Sequence, residues 1–337
     1  MSFVTSKPVG ATGFGLMGFT WRPVQTPDEQ AFATMKEALA HGANFWNGGE
    51  FYGSPEPELN LKLIQRYFAT NPADAEKVVL SIKGGLDLQT LAPRGAPADI
   101  RRSIDNVLEH LQGSKYLDIF QCARVDPAVP IEETIAEIAT YVKAGKIGGI
   151  GLSEVSAETI RRAHEVHPIA TVEVEFSLWS TEILDNGVAK TCAELGIPIV
   201  AYSPLGRGFL TGQIKKPEDI PEGDFRRYLD RFQPENFAKN MDLLHAVEDF
   251  AAKKVGPDGK PVTPAQLALA WIHAQSGQNG LPVIIPIPGA TTATRVAENM
   301  ARVELSSEEK ADIDEILRSS VVVGGRYNRH MEALLFQ

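Results

Sequence analysis

Residues 44–53, NFWNGGEFYG, decide the reading of the chain when taken with the short apolar run at 78–83, VVLSIK. Asn44, Phe45 and Trp46 read as the end of a buried strand, after which Gly48 and Gly49 let the backbone turn sharply and leave Tyr52 on a loop at the strand's carboxyl end. Lys83 closes the next apolar run, just before Gly84 and Gly85. A cation at the end of one strand therefore sits beside a phenol just past its neighbour. A phenol has an ordinary pKa of about 10, and a nearby ammonium favours its ionised form, so such a pair can supply a proton near neutral pH. Taken singly, the two residues read as a tyrosine in a turn and a lysine ending a strand.

Outward from this stretch, short apolar runs alternate with longer amphipathic ones. Strands are predicted at 14–17, 43–47, 78–83, 117–122, 147–152, 171–174, 198–202 and 283–286. Thr26-Pro27-Asp28-Glu29 reads as a capping box that opens a helix to about His41. Further helices are predicted over 58–68, 97–111 and 131–144, after the cap Ser156, through Lys190, after Thr263-Pro264-Ala265-Gln266, over 294–300, and after Ser306. A length of 337 residues fits one large barrel or two ordinary domains. Eight strand-then-helix units with no Pro/Gly/Ser-rich linker favour an α/β fold, a (β/α)8 TIM barrel as a single domain over 1–337. It has a short N-terminal extension, a C-terminal helix and tail, and its site at the carboxyl ends of the strands. The Gly- and Pro-rich stretch 206–234 reads as a lid or binding loop, or as a disordered excursion.

Composition limits the partners. A hydrophobic fraction of 43% with 23% charged residues is that of a soluble globular protein. The net charge of −10 argues against nucleic acid and against an anionic membrane surface. Cys122 and Cys192 lie in apolar runs and read as reduced core thiols of an intracellular protein. His164 and His167 have nothing nearby to complete a metal site, so no metal is expected. The N-terminus, MSFVTSKPVGATG, has no apolar signal core and no run is long enough to span a bilayer. A monomer in the cytoplasm, or also in the nucleus, acting on a small molecule is the expectation. Gly13, Gly15 and Gly18 match the spacing of a dinucleotide fingerprint, but Pro23 follows too soon for a helix at the required place.

Six stretches in order, NFWNGGEFYG, LSIKGG, IFQCARVDP, GKIGGIGLSE, AYSPLGRGFLTG and IPIPGATTATRVAEN, resemble those of the aldo-keto reductase superfamily. Within it, the EFYG, FQCARVD and late GGRYN wording is similar to that of fungal members that reduce pyridoxal. The resemblance implies a barrel that binds NADPH without a Rossmann domain and reduces aldehydes or ketones with an Asp, Tyr, Lys, His tetrad. Carried over by position, Tyr52 is the proton donor and Lys83 its activator, while Asn47 holds the aspartate position and Ala123 the histidine position. Asn47 brings no charge, so Lys83 is expected to keep more of its own field for Tyr52. Ala123 leaves space for a bulkier ring but removes a group that would orient the carbonyl. Pyridoxal carries a hydroxyl ortho to its aldehyde that could supply this orientation through an internal hydrogen bond. Trp21 and Arg124 join Tyr52 and Ala123 around the substrate.

The resemblance also implies cofactor contacts. Tyr202 would stack on the nicotinamide, the lesser alternative being a core tyrosine. Ser153, Glu154 and Glu173 fall where the carboxamide is held, the two glutamates standing where amides are usual. Ser203, Pro204, Leu205, Gly206 and Gly208 would cradle the pyrophosphate through backbone N–H groups, with the loop beyond closing as a lid. Gly289, Thr291, Thr292 and Arg295 suit the 2′-phosphate of NADPH, and Glu298 and Asn299 the adenine. The implied reaction is reduction of pyridoxal to pyridoxine. A non-catalytic NADPH-binding redox sensor and a general aldehyde or ketone reductase are the other readings, the first because the Asp and His are missing. Arg22, Arg226, Arg227 and Arg326 read as solvated surface cations, or as contacts to a phosphorylated vitamer.

Overall fold

Eight parallel strands, hydrogen bonded in chain order, form one sheet in the computed structural model, which describes residues 2–337. They are β1 (Phe14–Gly15), β2 (Phe45–Gly49), β3 (Val79–Gly84), β4 (Ile119–Cys122), β5 (Ile150–Ser153), β6 (Ile169–Glu175), β7 (Ile199–Tyr202) and β8 (Ile284–Pro286). The sheet closes on itself where β1 meets the end of β8. Gly13 N donates to Pro286 O at 2.9 Å and Gly15 N to Pro288 O at 3.3 Å, with a parallel bridge from Gly15 to Gly289. Only glycine fits at position 13 of this seam, because a Cβ there would lie 2.7 Å from the Phe45 carbonyl oxygen. The expected (β/α)8 barrel is therefore the fold observed.

Strand alternation explains how the interior is filled. Phe45, Val79, Ile119, Val200 and Ile285 form an apolar plug at the amino ends of their strands, and Val4 and Val9 of a small hairpin (Ser2–Val4 with Lys7–Val9) pack against it. Two residues further along, the faces of β2, β3 and β4 turn polar, at Asn47, Ser81 and Gln121. Outside, amphipathic helices cover the barrel: Pro97–Leu111 buries Ile100, Ile104, Val107 and Leu111. The caps at Ser156, Thr263 and Ser306 form as their residue types require. Thr26 does not cap: Pro27 takes the N-cap position with extended backbone and the helix begins at Asp28. The strand expected over 14–17 ends at Gly15, and one helical turn, Met17–Thr20, follows it. Cys122 and Cys192 are free and buried, and burial pushes both thiols up to about 12. Among the described residues no helix is long and apolar enough to cross a membrane.

The stretch 206–234 is built rather than loose. It holds 3₁₀ turns at Gly206–Thr211, Pro217–Asp219, Phe225–Tyr228 and Asp230–Phe232 before the helix Pro234–Lys253. Its arginines are occupied: Arg226 donates to both oxygens of Asp224 and to Arg207 O, and Arg227 to Ile220 O. Arg326 overturns the surface reading outright, being 3% exposed. The tail returns across the barrel mouth, where Arg326 donates to both oxygens of Glu154 at 3.0 and 2.8 Å and lies 3.8 Å from Glu175 Oε2. Two buried carboxylates there demand a cation, and the tail supplies it. Arg326→Ala leaves Glu154 buried without a counter-charge and is expected to lower stability by about 3–5 kcal/mol, measured by urea unfolding. Arg326→Lys, which keeps the charge and loses the fork, should cost less.

Candidate active site

Period-two alternation carries Asn47 on β2, Lys83 on β3, Gln121 on β4 and Glu173 on β6 into the barrel above the apolar plug, each 4% exposed or less. Lys83 Nζ donates to Asn47 Oδ1 at 2.6 Å and lies 2.5 Å from Glu173 Oε1. Asn47 Nδ2 and Gln121 Nε2 both donate to Glu173 Oε2, at 2.7 and 2.6 Å. This corrects the expectation that Lys83 keeps its field for Tyr52. The carboxylate missing at 47 stands at 173, and it neutralises the ammonium from the opposite side. An aspartate at 47 would face Glu173 at hydrogen-bonding distance, so the amide is the residue type that can bridge ammonium and carboxylate at once.

Tyr52 lies beside this cluster, with Lys83 Nζ 5.4 Å from its ring centre. β2 continues through Gly49, so the two glycines do not make the turn. A Cβ on Gly48 would lie 2.7 Å from Asn60 Oδ1 and one on Gly49 2.8 Å from the Tyr52 ring, so both are needed for packing. The turn that follows is anchored by Glu50, wholly buried, which accepts from Arg102 at 2.7 Å, Asn106 at 2.8 Å and the Ser103 hydroxyl, while its N–H donates to Lys83 O at 2.7 Å. Burial pushes the Tyr52 phenol above its ordinary pKa. Lys83 pulls it back without cancelling that rise, and Glu173 adds to it. The phenol is therefore held protonated rather than made acidic. Burial works against the charge on Lys83 too, but Glu173 and Tyr52 outweigh it and raise its pKa, keeping it an ammonium.

An apolar wall adjoins the phenol. Phe51, Tyr52, Leu86 and Ala123 pack together with Trp21, Leu88 and Leu91. Trp21 stacks on Tyr52 at 5.5 Å and on Phe225 of the lid stretch at 5.9 Å. Arg124 Nη2 donates to Tyr327 Oη at 3.2 Å. The sequence reading missed Gln121, Glu50 and Tyr327. Alternation from Ile119 could have placed Gln121 next to Lys83, whereas Tyr327 stands in the late GGRYN wording with nothing local to give it a role.

The residues expected around a dinucleotide divide into two sets. The Ser153 hydroxyl, at the end of β5, is buried and has no partner within the chain, an orphan donor that a bound amide would satisfy. Tyr202 is half-buried, its hydroxyl 3.0 Å from that of Tyr327. Gly289 is exposed; Thr292 caps the helix Ala293–Met300, on which Glu298 is half-buried and Asn299 buried. Arg295 reaches Gln213 Oε1 at 2.5 Å and so ties that helix to the lid stretch, while the Thr291 carbonyl accepts from Gln30 at 2.7 Å. Other positions are committed internally. Glu154 is held by Arg326 and accepts from Glu175 N at 3.0 Å, and Glu173 is held by Lys83. The turn through Ser203, Pro204, Leu205, Gly206 and Gly208 is left-handed at Ser203, Gly206, Arg207 and Gly208, and Gly206 N and Gly208 N donate to Ser203 O and Leu205 O, so those two amides close the turn itself.

Comparison with known proteins gives the family. Residues 11–318 match the model of the aldo/keto reductase family. The Schizosaccharomyces pombe protein named "Probable pyridoxal reductase 2" is 46% identical over 99% of both chains. A Saccharomyces cerevisiae protein, also named with a qualifier as a pyridoxal reductase, is 41% identical over 94% of this chain and 95% of its own. Among solved structures, glycerol dehydrogenase from Gluconobacter oxydans superposes with a TM-score of 0.77 at 25% identity, over 95% of this chain and 94% of that one. The chain belongs to the aldo/keto reductase family of oxidoreductases.

Proposed function

We propose that the protein reduces pyridoxal to pyridoxine with NADPH, and that Tyr52 delivers the proton to the carbonyl oxygen. The observation that carries this reading is the buried Lys83–Glu173–Asn47 cluster beside Tyr52 at the carboxyl ends of the barrel strands. The relatives named as pyridoxal reductases supply the substrate class. Bound NADPH would supply the hydride; the residues that fit it are Ser153 and Tyr202 at the nicotinamide and Gly289, Thr291, Thr292, Arg295, Glu298 and Asn299 at the adenosine end, while the 203–208 turn would have to meet the pyrophosphate with N–H groups other than those of Gly206 and Gly208. Arg295, on the exposed first turn of its helix, favours a 2′-phosphate.

The chain's own residues divide the remaining work. A phenol kept protonated by burial is suited to give its proton to a carbonyl oxygen that is gaining negative charge. Lys83 stabilises the phenolate left behind. Glu173 keeps Lys83 charged, and Asn47 fixes the distance between them. Trp21 and the wall at Ala123, Leu86 and Leu88 hold an aromatic ring and exclude water, and Arg124 offers a donor at the ring's edge. The case for a non-catalytic sensor leaned on the missing aspartate and histidine; Glu173 restores the carboxylate, which favours catalysis. A panel of aldehydes followed by NADPH absorbance separates a pyridoxal reductase from a general one by relative rates, and a sensor by the lack of turnover.

Tyr52→Phe should lower kcat about 10²–10⁴-fold with cofactor binding retained. Because the carboxylate of Glu173 raises the pKa of both Tyr52 and Lys83, Glu173→Gln should move the basic limb of the pH–rate profile to lower pH. Adding Asn47→Asp to Glu173→Gln returns the negative charge and should move the limb back; a double variant no better than the single would refute the charge-balance account. Arg295→Ala should weaken NADPH far more than NADH in equilibrium titration, about tenfold or more for loss of one charge-assisted contact.

A further inference from the structure

Within the barrel mouth, cations and carboxylates pair off. Lys83 faces Glu173, Arg326 faces Glu154, and Arg207 donates to Glu175 Oε2 at 2.8 Å. Arg124 stands apart: among the described residues it has no carboxylate within ion-pair distance, and its donors go to Ala123 O and Tyr327 Oη. Tyr327 is fixed from several sides. Its N–H donates to Glu332 Oε2 at 2.8 Å, its hydroxyl lies 3.0 Å from that of Tyr202, and the guanidinium of Arg207 lies 4.5 Å from its ring centre. The neighbouring Arg326 clamp holds the tail in place.

Tyr327 is also joined to the reactive phenol by a row of rings. It lies 6.4 Å from Phe225, which stacks on Trp21, which stacks on Tyr52. Arg124, which donates to Tyr327 Oη, directly follows Ala123, and Ala123 packs with Tyr52, so the Tyr327 phenol is tied to the wall that adjoins the reactive one. Ala123 itself carries no polar side chain to orient a carbonyl substrate. An unbalanced guanidinium and a fixed phenol next to it suit an electron-rich oxygen.

We infer that Tyr327, oriented by Arg124, is a specificity-determining residue that hydrogen bonds the ring hydroxyl of an aromatic aldehyde while Tyr52 serves the carbonyl oxygen. The inference rests on the reductase reading above and replaces the notion that the substrate orients itself through an internal hydrogen bond. The oxygen recognised is a phenolic one on the ring, such as that of pyridoxal beside its aldehyde.

The test compares pyridoxal with its analogue lacking that hydroxyl, using the full chain and NADPH. The wild type should favour pyridoxal in kcat/KM by about tenfold or more, and Tyr327→Phe should bring the ratio to within about twofold, with the loss appearing in KM. Arg124→Lys should give an intermediate ratio. A wild type with no preference, or a Tyr327→Phe enzyme that keeps the wild-type ratio, overturns the inference; the latter points back to the internal hydrogen bond. Matched unfolding midpoints guard against a folding defect. If the wild type reduces neither aldehyde, the reductase reading fails instead. The anchor is then judged by equilibrium titration with pyridoxine and its deoxy analogue, where Tyr327→Phe must abolish an about tenfold preference and equal binding in the wild type overturns it.

Discussion

A lysine ammonium buried at the centre of a barrel is tolerable only with a carboxylate against it, and the rest of this site is arranged around that demand. Removing an ammonium from water costs several kcal/mol, which a single well-placed counter-ion and added hydrogen bonds can offset. Glu173 is that counter-ion, and three donors from Lys83, Asn47 and Gln121 converge on its two oxygens. Two carboxylates around one ammonium would leave a buried negative charge, and none would leave a buried positive one. Asparagine at 47 and glutamate at 173 therefore belong together: each residue type makes sense only in view of the other.

Much of this was legible in the chain. The eight strand-and-helix units and the placement of Tyr52 and Lys83 follow from local periodicity and glycine punctuation, which is why the barrel and the ends of β2 and β3 were found. Glu173 was read as a cofactor contact because its partner in space is 90 residues away, and no local pattern says which interior residues of β2, β3 and β6 meet. Arg326 was read as a surface cation for the same reason. An arginine in a polar tail is ordinarily solvated, and only the return of that tail over Glu154 makes it a buried one. Gly48 and Gly49 show the converse: the residues were picked out correctly, but what they avoid is steric contact with Asn60 and the Tyr52 ring rather than a strained turn.

The pKa logic changes with the geometry. Sequence proximity of a phenol and an ammonium suggested an acidic phenol, yet burial is the larger influence on Tyr52 and Glu173 cancels part of the field of Lys83. For reduction this is no handicap. A donor must hold its proton until charge develops on the acceptor, and a low-dielectric site strengthens the Lys83–phenolate attraction when the proton leaves. The cluster thus stabilises charge late, where a resting phenolate would already have lost the proton it has to give.

Charge balance also explains why the tail is part of the site. Glu154 directly follows β5 and Glu175 ends β6, and with Glu173 they would put three carboxylates into one mouth against Lys83 alone. Arg207 from the 203–208 turn and Arg326 from the tail bring the count to three cations against three carboxylates, leaving Arg124 over. A closed mouth with one surplus guanidinium attracts an electron-rich group without binding a second fixed anion of its own. The phenol of Tyr327 lies against that guanidinium, so the tail that neutralises the mouth also delivers the hydroxyl that gives it chemical direction. Stability and recognition are coupled there through adjacent residues, Arg326 holding the segment down and Tyr327 held against Arg124.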